Sequence, residues 1–390
     1  MRFFVLALLA LFAPASAIAQ APASVLTADS ETRWVGFDLT PGNQIRFALT
    51  LDGRQASAVL DTGVSFTVAS SAFARAVALK PAATGRAEAI GGTVAVGWAP
   101  VRSIAFGGLS RSGGRVAVAD LTPIVTDSVK PVDLLVGADL LGAHALDIDY
   151  QGKRFRLMPS GRMPFRGVSV PLSLARDSGV YLGEIAIGGR RLRPLIVDTG
   201  DGAALTLSGE AWTAAGLSSL RLTSALAFGL GGEVITDLAV LQQIKIGTLT
   251  ARNVEVRIER GAGFSRQTAT AGRIGSALLG RYRVLMDPRA GRMVMAAGPN
   301  ADQPPLRSTS GLLVALAPNQ LRVMHVMRNS PAQAAGWRIG DRICRIDGIT
   351  VPLDYIGNPI AVWTVGTPGR TVALGMCDGQ QRALTLRAFY

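Results

Sequence analysis

Two aspartates set in the same short motif carry most of the chemistry in this 390-residue sequence. Asp61-Thr62-Gly63 follows Ala58-Val59-Leu60, and Asp198-Thr199-Gly200 follows Leu195-Ile196-Val197. A single aspartate before Thr-Gly is most often a turn residue. Two of them at equivalent places of a duplicated unit are a different matter, because related halves pack about a pseudo-twofold axis where equivalent loops can meet. Two carboxylates at hydrogen-bonding distance do not both ionise readily, so one keeps its proton and the pair titrates as a unit. Such a dyad contains a base that takes a proton from water and an acid that polarises a peptide carbonyl. Thr62 and Thr199 supply hydroxyls that can brace the facing loop. Gly63 and Gly200 let two backbones approach without a Cβ clash.

Other chemistries have little to work with. The only histidines are His144 and His325, and the only cysteines are Cys344 and Cys377. That composition nearly excludes a Cys/His zinc cluster, and no G-x-S-x-G elbow is present for a serine nucleophile. No metal or cofactor is therefore expected, and neither histidine is assigned a role. The formal net charge is +13, yet the basic residues, all but four of them Arg, are spread along the chain without a run. A spread charge with no reading motif argues against a nucleic-acid partner.

The elements that must hold the aspartates recur in step with them. A Gly-Gly pair follows 30 residues after Asp61 (Gly91-Gly92) and 33 after Asp198 (Gly231-Gly232). An apolar run ending in Gly107 or Gly247 comes next, then an apolar-Gly element at Val136-Gly137 and Ile274-Gly275. Last come Asp149 with Arg154 and Asp287 with Arg292, each pair expected in an alternating strand. Five landmarks in one order define two repeats, 33–160 and 167–297. Each repeat reads as β. Residues 44–60 form two strands around Asp52-Gly53, and 183–197 repeat this around Gly188-Gly189. Short helices are expected near Ser71 and Gly209. The Gly91-Gly92 and Gly231-Gly232 turns are expected to be hairpin tips that can close over a bound peptide and exclude water.

Residues 1–19 have the charge and apolar run of a signal peptide, with small residues at 15–19 for cleavage. No other stretch is long enough to cross a membrane. The mature protein is thus expected to be periplasmic or secreted, with no integral membrane segment. Residues 298–308, rich in Pro and polar residues, read as a linker that few contacts should cross.

With these motifs the sequence resembles an aspartic protease of the pepsin/retropepsin type. Asp61-Thr62-Gly63-Val64-Ser65 carries the complete Asp-Thr-Gly-x-Ser signature, and Leu135-Val136-Gly137 and Arg273-Ile274-Gly275 are similar to the family's later apolar-apolar-Gly element. The second copy has Gly202 where Ser or Thr is usual. The resemblance implies a mainly β protein in which two retropepsin-like β-barrel lobes form a bilobal acid-protease fold. It implies catalytic Asp61 and Asp198, supported by Thr62, Gly63, Ser65, Thr199 and Gly200, with the Ser65 hydroxyl bonded to its carboxylate. Polypeptides would be the substrates. Two repeats in one chain favour a monomer, since tethering raises their effective concentration.

Within residues 309–390, Asn329-Ser330-Pro331-Ala332-Gln333-Ala334-Ala335-Gly336 leads into Ile339-Gly340-Asp341-Arg342-Ile343 and Ile346-Asp347-Gly348. With these motifs the stretch resembles a PDZ domain of the type attached to bacterial exported proteases. Pro suits an early helical position, and Gly336 suits a helix end. The resemblance implies a small α+β domain that binds a C-terminal peptide by strand addition, with Gly311-Leu312-Leu313-Val314 at the carboxylate. A module that only positions the protease remains the alternative. Cys344 and Cys377 fall on predicted strands there, either as a disulfide or as two buried thiols. Three functions stay open: an exported aspartic endopeptidase, a non-catalytic peptide-binding protein that keeps the cleft, and an envelope scaffold.

Overall fold

The structure is a computed structural model that describes residues 24–124 and 131–390. The expected signal peptide lies outside the described residues. The chain is mainly β, and its two halves build their sheets in one order. In the first half that order is Ile45–Leu51, Arg54–Leu60, Leu134–Val136, Val68–Ser70, Arg115–Ala119, Gly92–Pro100 and Ala83–Ala89. In the second it is Tyr181–Ile187, Arg190–Asp198, Gly272–Gly275, Leu205–Ser208, Leu249–Glu259, Gly232–Ile246 and Thr223–Gly229.

The sequence dictates much of this locally. Phe47, Leu49 and Leu51 alternate inward along the first strand. Asp52 and Gly53, both at positive φ, make the tight turn that returns the chain as Arg54–Leu60. The short helices Ser71–Ala76 and Gly209–Ala214 start at equivalent caps: the Ser70 and Ser208 hydroxyls each accept the third following amide at 3.0 Å.

Each strand that leads to an Asp-Thr-Gly loop runs parallel to the apolar-Gly element of its own half. Leu60 pairs with Val136, and Val197 with Ile274. A six-stranded sheet then crosses between the halves, joined where Ala145–Asp149 runs antiparallel to Tyr282–Asp287. The Asp149/Arg154 and Asp287/Arg292 pairs are correctly spaced but not on single strands. Each faces its partner across a hairpin within this sheet, because the five-residue separation closes a turn. One hydrophobic core runs through both halves. Among the described residues no helix is long and apolar enough to cross a membrane.

Residues 309–390 have their own core, around Leu321, Val323, Trp337, Ile343, Trp363, Val372 and Leu374. The strands Leu312–Ala317, Gln320–Val326, Arg342–Ile346, Thr371–Met376 and Gln381–Thr385 lie in that order. The helix Pro331–Ala334 is capped by Ser330, and Gly336 follows at positive φ. Cys344 and Cys377 form a disulfide. The expectation of few contacts across 298–308 does not hold. Residues 325–329 bond directly to 222–224 and 237 of the second half, because buried polar groups on both sides need partners.

The disulfide closes 33 positions of sequence, a loop length that stabilises by about 3–4 kcal/mol in the chain-entropy treatment. Replacing both cysteines by Ala is expected to lower the unfolding midpoint of the C-terminal unit while leaving residues 33–297 folded. Calorimetry of the full chain, with and without reductant, measures this.

Candidate active site

Asp61 follows and Asp198 ends a strand whose last apolar residues are buried, so the packing of Val59, Leu60, Ile196 and Val197 fixes where the two loops begin. The loops are then locked to one another. The Thr62 amide donates to Thr199 Oγ1 and the Thr199 amide to Thr62 Oγ1, both at 3.1 Å. Each hydroxyl passes its own proton onward, Thr62 to the Val197 carbonyl at 2.6 Å and Thr199 to the Leu60 carbonyl at 2.7 Å. Both threonines are fully buried.

This lock sets the Asp198 carboxyl against Gly63 and the Asp61 carboxyl against Gly200. A Cβ on Gly63 would overlap the Asp198 carboxyl, and one on Gly200 would overlap that of Asp61. The glycines are thus required by the opposing acid, not by backbone conformation. Gly63 donates its amide to Asp61 Oδ1 at 3.0 Å. Asp198 Oδ1 accepts two amides, from Gly200 at 2.9 Å and Asp201 at 3.0 Å.

Burial, then the neighbouring Asp198 charge, pushes the Asp61 carboxyl well above the usual range. Burial and the Asp201 charge push Asp198 up to about 6, partly offset by Arg273 and the two amides. Against the desolvation of its own buried site, Arg273 holds Asp201 below the usual carboxylate range.

Arg273 enters the sequence reading only as part of the Arg273-Ile274-Gly275 element, with no role of its own. It is buried and donates to Asp201 at 3.0 Å and to Glu259 at 2.8 Å. The signal was an arginine standing where the first copy has the apolar Leu135. The first half fastens its own loop differently: Asp139 accepts Thr67 N and Oγ1, both at 2.8 Å, and Arg111 at 2.7 Å.

Two supporting residues depart from expectation. Among the described residues the Ser65 hydroxyl makes no hydrogen bond, while Asp61 accepts the Gly63 amide. Gly202 is glycine for steric reasons, since a Cβ there would overlap the Gly42 carbonyl oxygen. The 40–44 loop reaches across from the first half and holds the second Asp-Thr-Gly loop, with Asn43 Nδ2 on Gly202 O at 3.2 Å and Gln44 Nε2 on Gly200 O at 3.0 Å.

The proposed tips meet each other. The first hairpin, Ala83–Ala89 with Gly92–Pro100, and the second, Thr223–Gly229 with Gly232–Ile246, touch at Gly91, Gly92, Gly231 and Gly232. The Gly231 amide donates to the Ile90 carbonyl at 2.9 Å. A Cβ on Gly91 would come within 2.8 Å of Gly231 and Gly232 backbone atoms.

The loop at Gly311-Leu312-Leu313-Val314 lies apart from this centre, in the C-terminal unit. Gly311 is at positive φ and Leu313 is exposed. The Gly311 amide already donates to Ser308 Oγ at 2.9 Å and the Leu312 amide to Ser310 Oγ at 3.1 Å.

Residues 47–140, under half of the chain, match a family model described as Aspartyl protease, which supports an aspartyl protease of the retropepsin type. That stretch includes Asp61, Gly91 and Gly137. No curated protein matches the chain.

Two outcomes follow from the site. Gly202→Ala is expected to cost about 1–3 kcal/mol of stability by overpacking, while Ser65→Ala, which breaks no hydrogen bond, stays within about 0.5 kcal/mol; denaturant titration compares them. The pH dependence of folding has a definite sign. Both folded carboxyls lie above the unfolded value near 3.8, so the native state binds the extra proton. The Asp198 contribution to stability is complete below about pH 4 and is lost as pH rises through about 6, and the Asp61 contribution is lost in the same direction. Asp61→Asn should therefore be more stable than the parent at pH 8 and show a flatter dependence, read from denaturation midpoints at pH 4, 6 and 8.

Proposed function

We propose that the chain is an aspartic endopeptidase in which Asp61 and Asp198 act as one dyad between two retropepsin-like lobes. The observation that carries this reading is the pair of facing carboxyls held by the reciprocal Thr62–Thr199 bonds. Their environments separate their roles. Asp198, with two amides on one oxygen, is the base, and Asp61, which accepts a single amide, holds the shared proton. A water molecule between them loses a proton to Asp198 as its oxygen attacks the peptide carbonyl carbon. Asp61 gives its proton to the carbonyl oxygen. The tetrahedral diol then collapses, the C–N bond breaks, and a proton passes to the leaving nitrogen.

Substrates of this reading are extended polypeptides, which the paired hairpins enclose once the tips have parted. The C-terminal unit is read as a PDZ domain. Its strand Leu312–Ala317 lies at a sheet edge, where an extended chain can add. The two loop amides already held by Ser308 and Ser310 argue for strand addition ahead of carboxylate capture. Export is supported by the sequence of residues 1–19 and by the Cys344–Cys377 bond, which suits an oxidising compartment.

Gly202, in place of the usual Ser or Thr, is the sequence feature that motivates the alternative of a non-catalytic peptide binder. Because Gly42 occupies the space a side chain would need, the glycine is explained by packing and does not count against catalysis. Asp61→Asn and Asp198→Asn are each expected to lower the cleavage rate of a denatured protein substrate by about 10²–10⁴-fold, with the fold retained. Two folded Asn variants that cleave at the parent rate would end the dyad reading. A parent that binds peptides without cleaving them would favour the binding protein.

A further inference from the structure

The two hairpins are not held alike. Among the described residues the first makes no hydrogen bond to residues 309–390. The second is fastened to them at one rung of its stem, where Thr223 pairs with Leu238 and Ser224 with Asp237. From the C-terminal unit, the Arg328 guanidinium donates to the Thr223 carbonyl at 3.0 Å and pairs with the Asp237 carboxylate. Thr223 Oγ1 returns a bond to the Arg328 carbonyl at 2.6 Å. Ser224 Oγ accepts the Arg328 amide at 3.0 Å and meets His325 Nε2 at 2.9 Å. Asn329 Nδ2 donates to the Leu222 carbonyl at 3.2 Å. Arg260, from the hairpin's own half, completes the partners of Asp237.

Thr223, Ser224, Asp237 and His325 are all buried, so this is an interior junction and not a surface touch. Because Ser224 accepts the Arg328 amide, its own proton is free to go to His325 Nε2, which suits a neutral imidazole. Burial, with the nearby Arg328 charge, lowers the His325 pKa and favours that form. Both strands of the stem are therefore gripped at the same height. From there the hairpin runs unbroken to Gly229 and Gly232, about 20 Å at the usual strand rise. An isolated two-stranded hairpin is marginal in water. Where this one points is thus decided at its stem, and its tip is the one that bonds to Ile90 of the first hairpin.

We propose that Arg328 is a positioning residue for peptide cleavage: with Ser224, Asp237 and His325 it makes the C-terminal unit the fixed mount of the second hairpin. The proposal rests on the protease reading and adds to it that the C-terminal unit takes part in cleaving short peptides as well as long ones. A unit that served only to recruit polypeptides would have no need to grip the hairpin.

The test uses the full chain carrying Arg328→Ala, Arg328→Lys or Asp237→Asn. Cleavage of a short peptide is followed beside hydrogen exchange of the backbone amides. For Arg328→Ala, KM is expected to rise about tenfold or more, with a smaller change in kcat. Exchange should quicken across 223–238 and stay slow at 371–385. Arg328→Lys, which keeps the charge for Asp237 but not the fork, should recover part of the KM effect. Partial unfolding would instead lower the active fraction and hence kcat, leaving KM where it was. Unchanged exchange at 223–238 together with an unchanged KM in Arg328→Ala overturns the proposal. If the parent cleaves no peptide, the protease reading fails, and exchange alone judges the junction: faster at 223–238 in Arg328→Ala supports a mount, no change refutes it.

Discussion

Two threonine hydroxyls set the geometry on which everything else in the centre depends. Thr62 and Thr199 each accept the other's amide and donate to the strand that precedes the other's loop. All of these groups are buried, and a buried polar group without a partner costs about 1–3 kcal/mol. The halves therefore dock only where the four bonds are made together. Once they are made, the residues on either side have no freedom left. The aspartates face one another, the glycines yield the space, and the carboxyls share a low-dielectric site that raises both pKa values. The raised pKa values of the pair are a consequence of docking and belong to neither half alone.

The centre is built symmetrically and then made unequal. On the side of Asp198, the 40–44 loop presses its backbone against Gly202, and Asp201 is tied to the buried Arg273. On the side of Asp61, the loop is fastened further along, through Thr67 and Asp139. Both solutions anchor the loop by an Asp–Arg pair, but from different positions in the repeat. The result is two carboxyls with different hydrogen-bond donors, which is what a dyad needs if one member is to keep the proton.

The same inequality extends outward to the hairpins. Their tips meet as equals, yet among the described residues only the second stem is bonded to the C-terminal unit. A unit with its own core and its own disulfide is well suited to hold a hairpin steady. Its sequence position after a Pro-rich stretch suggested independence, but composition describes the connecting chain and is silent on which surfaces the connected parts bury.

Sequence alone determined what depends on local order and repetition. The Asp-Thr-Gly pair, the hairpins at 44–60 and 183–197, the helices after Ser70 and Ser208 and the C-terminal strands all follow from turn residues, caps and apolar alternation. The duplicated spacing made the meeting of the two aspartates legible, because equal units pack about an axis. Tertiary structure decided what depends on residues far apart in the chain. Gly202 proved to be shaped by Gly42, from the other half. Arg273 found Asp201 and Glu259, His325 found Ser224, and Cys344 joined Cys377. Each of these contacts joins two segments whose separation is set by packing. A linear pattern records which side chains are available, but only the docking of sheets fixes which of them are close enough to bond.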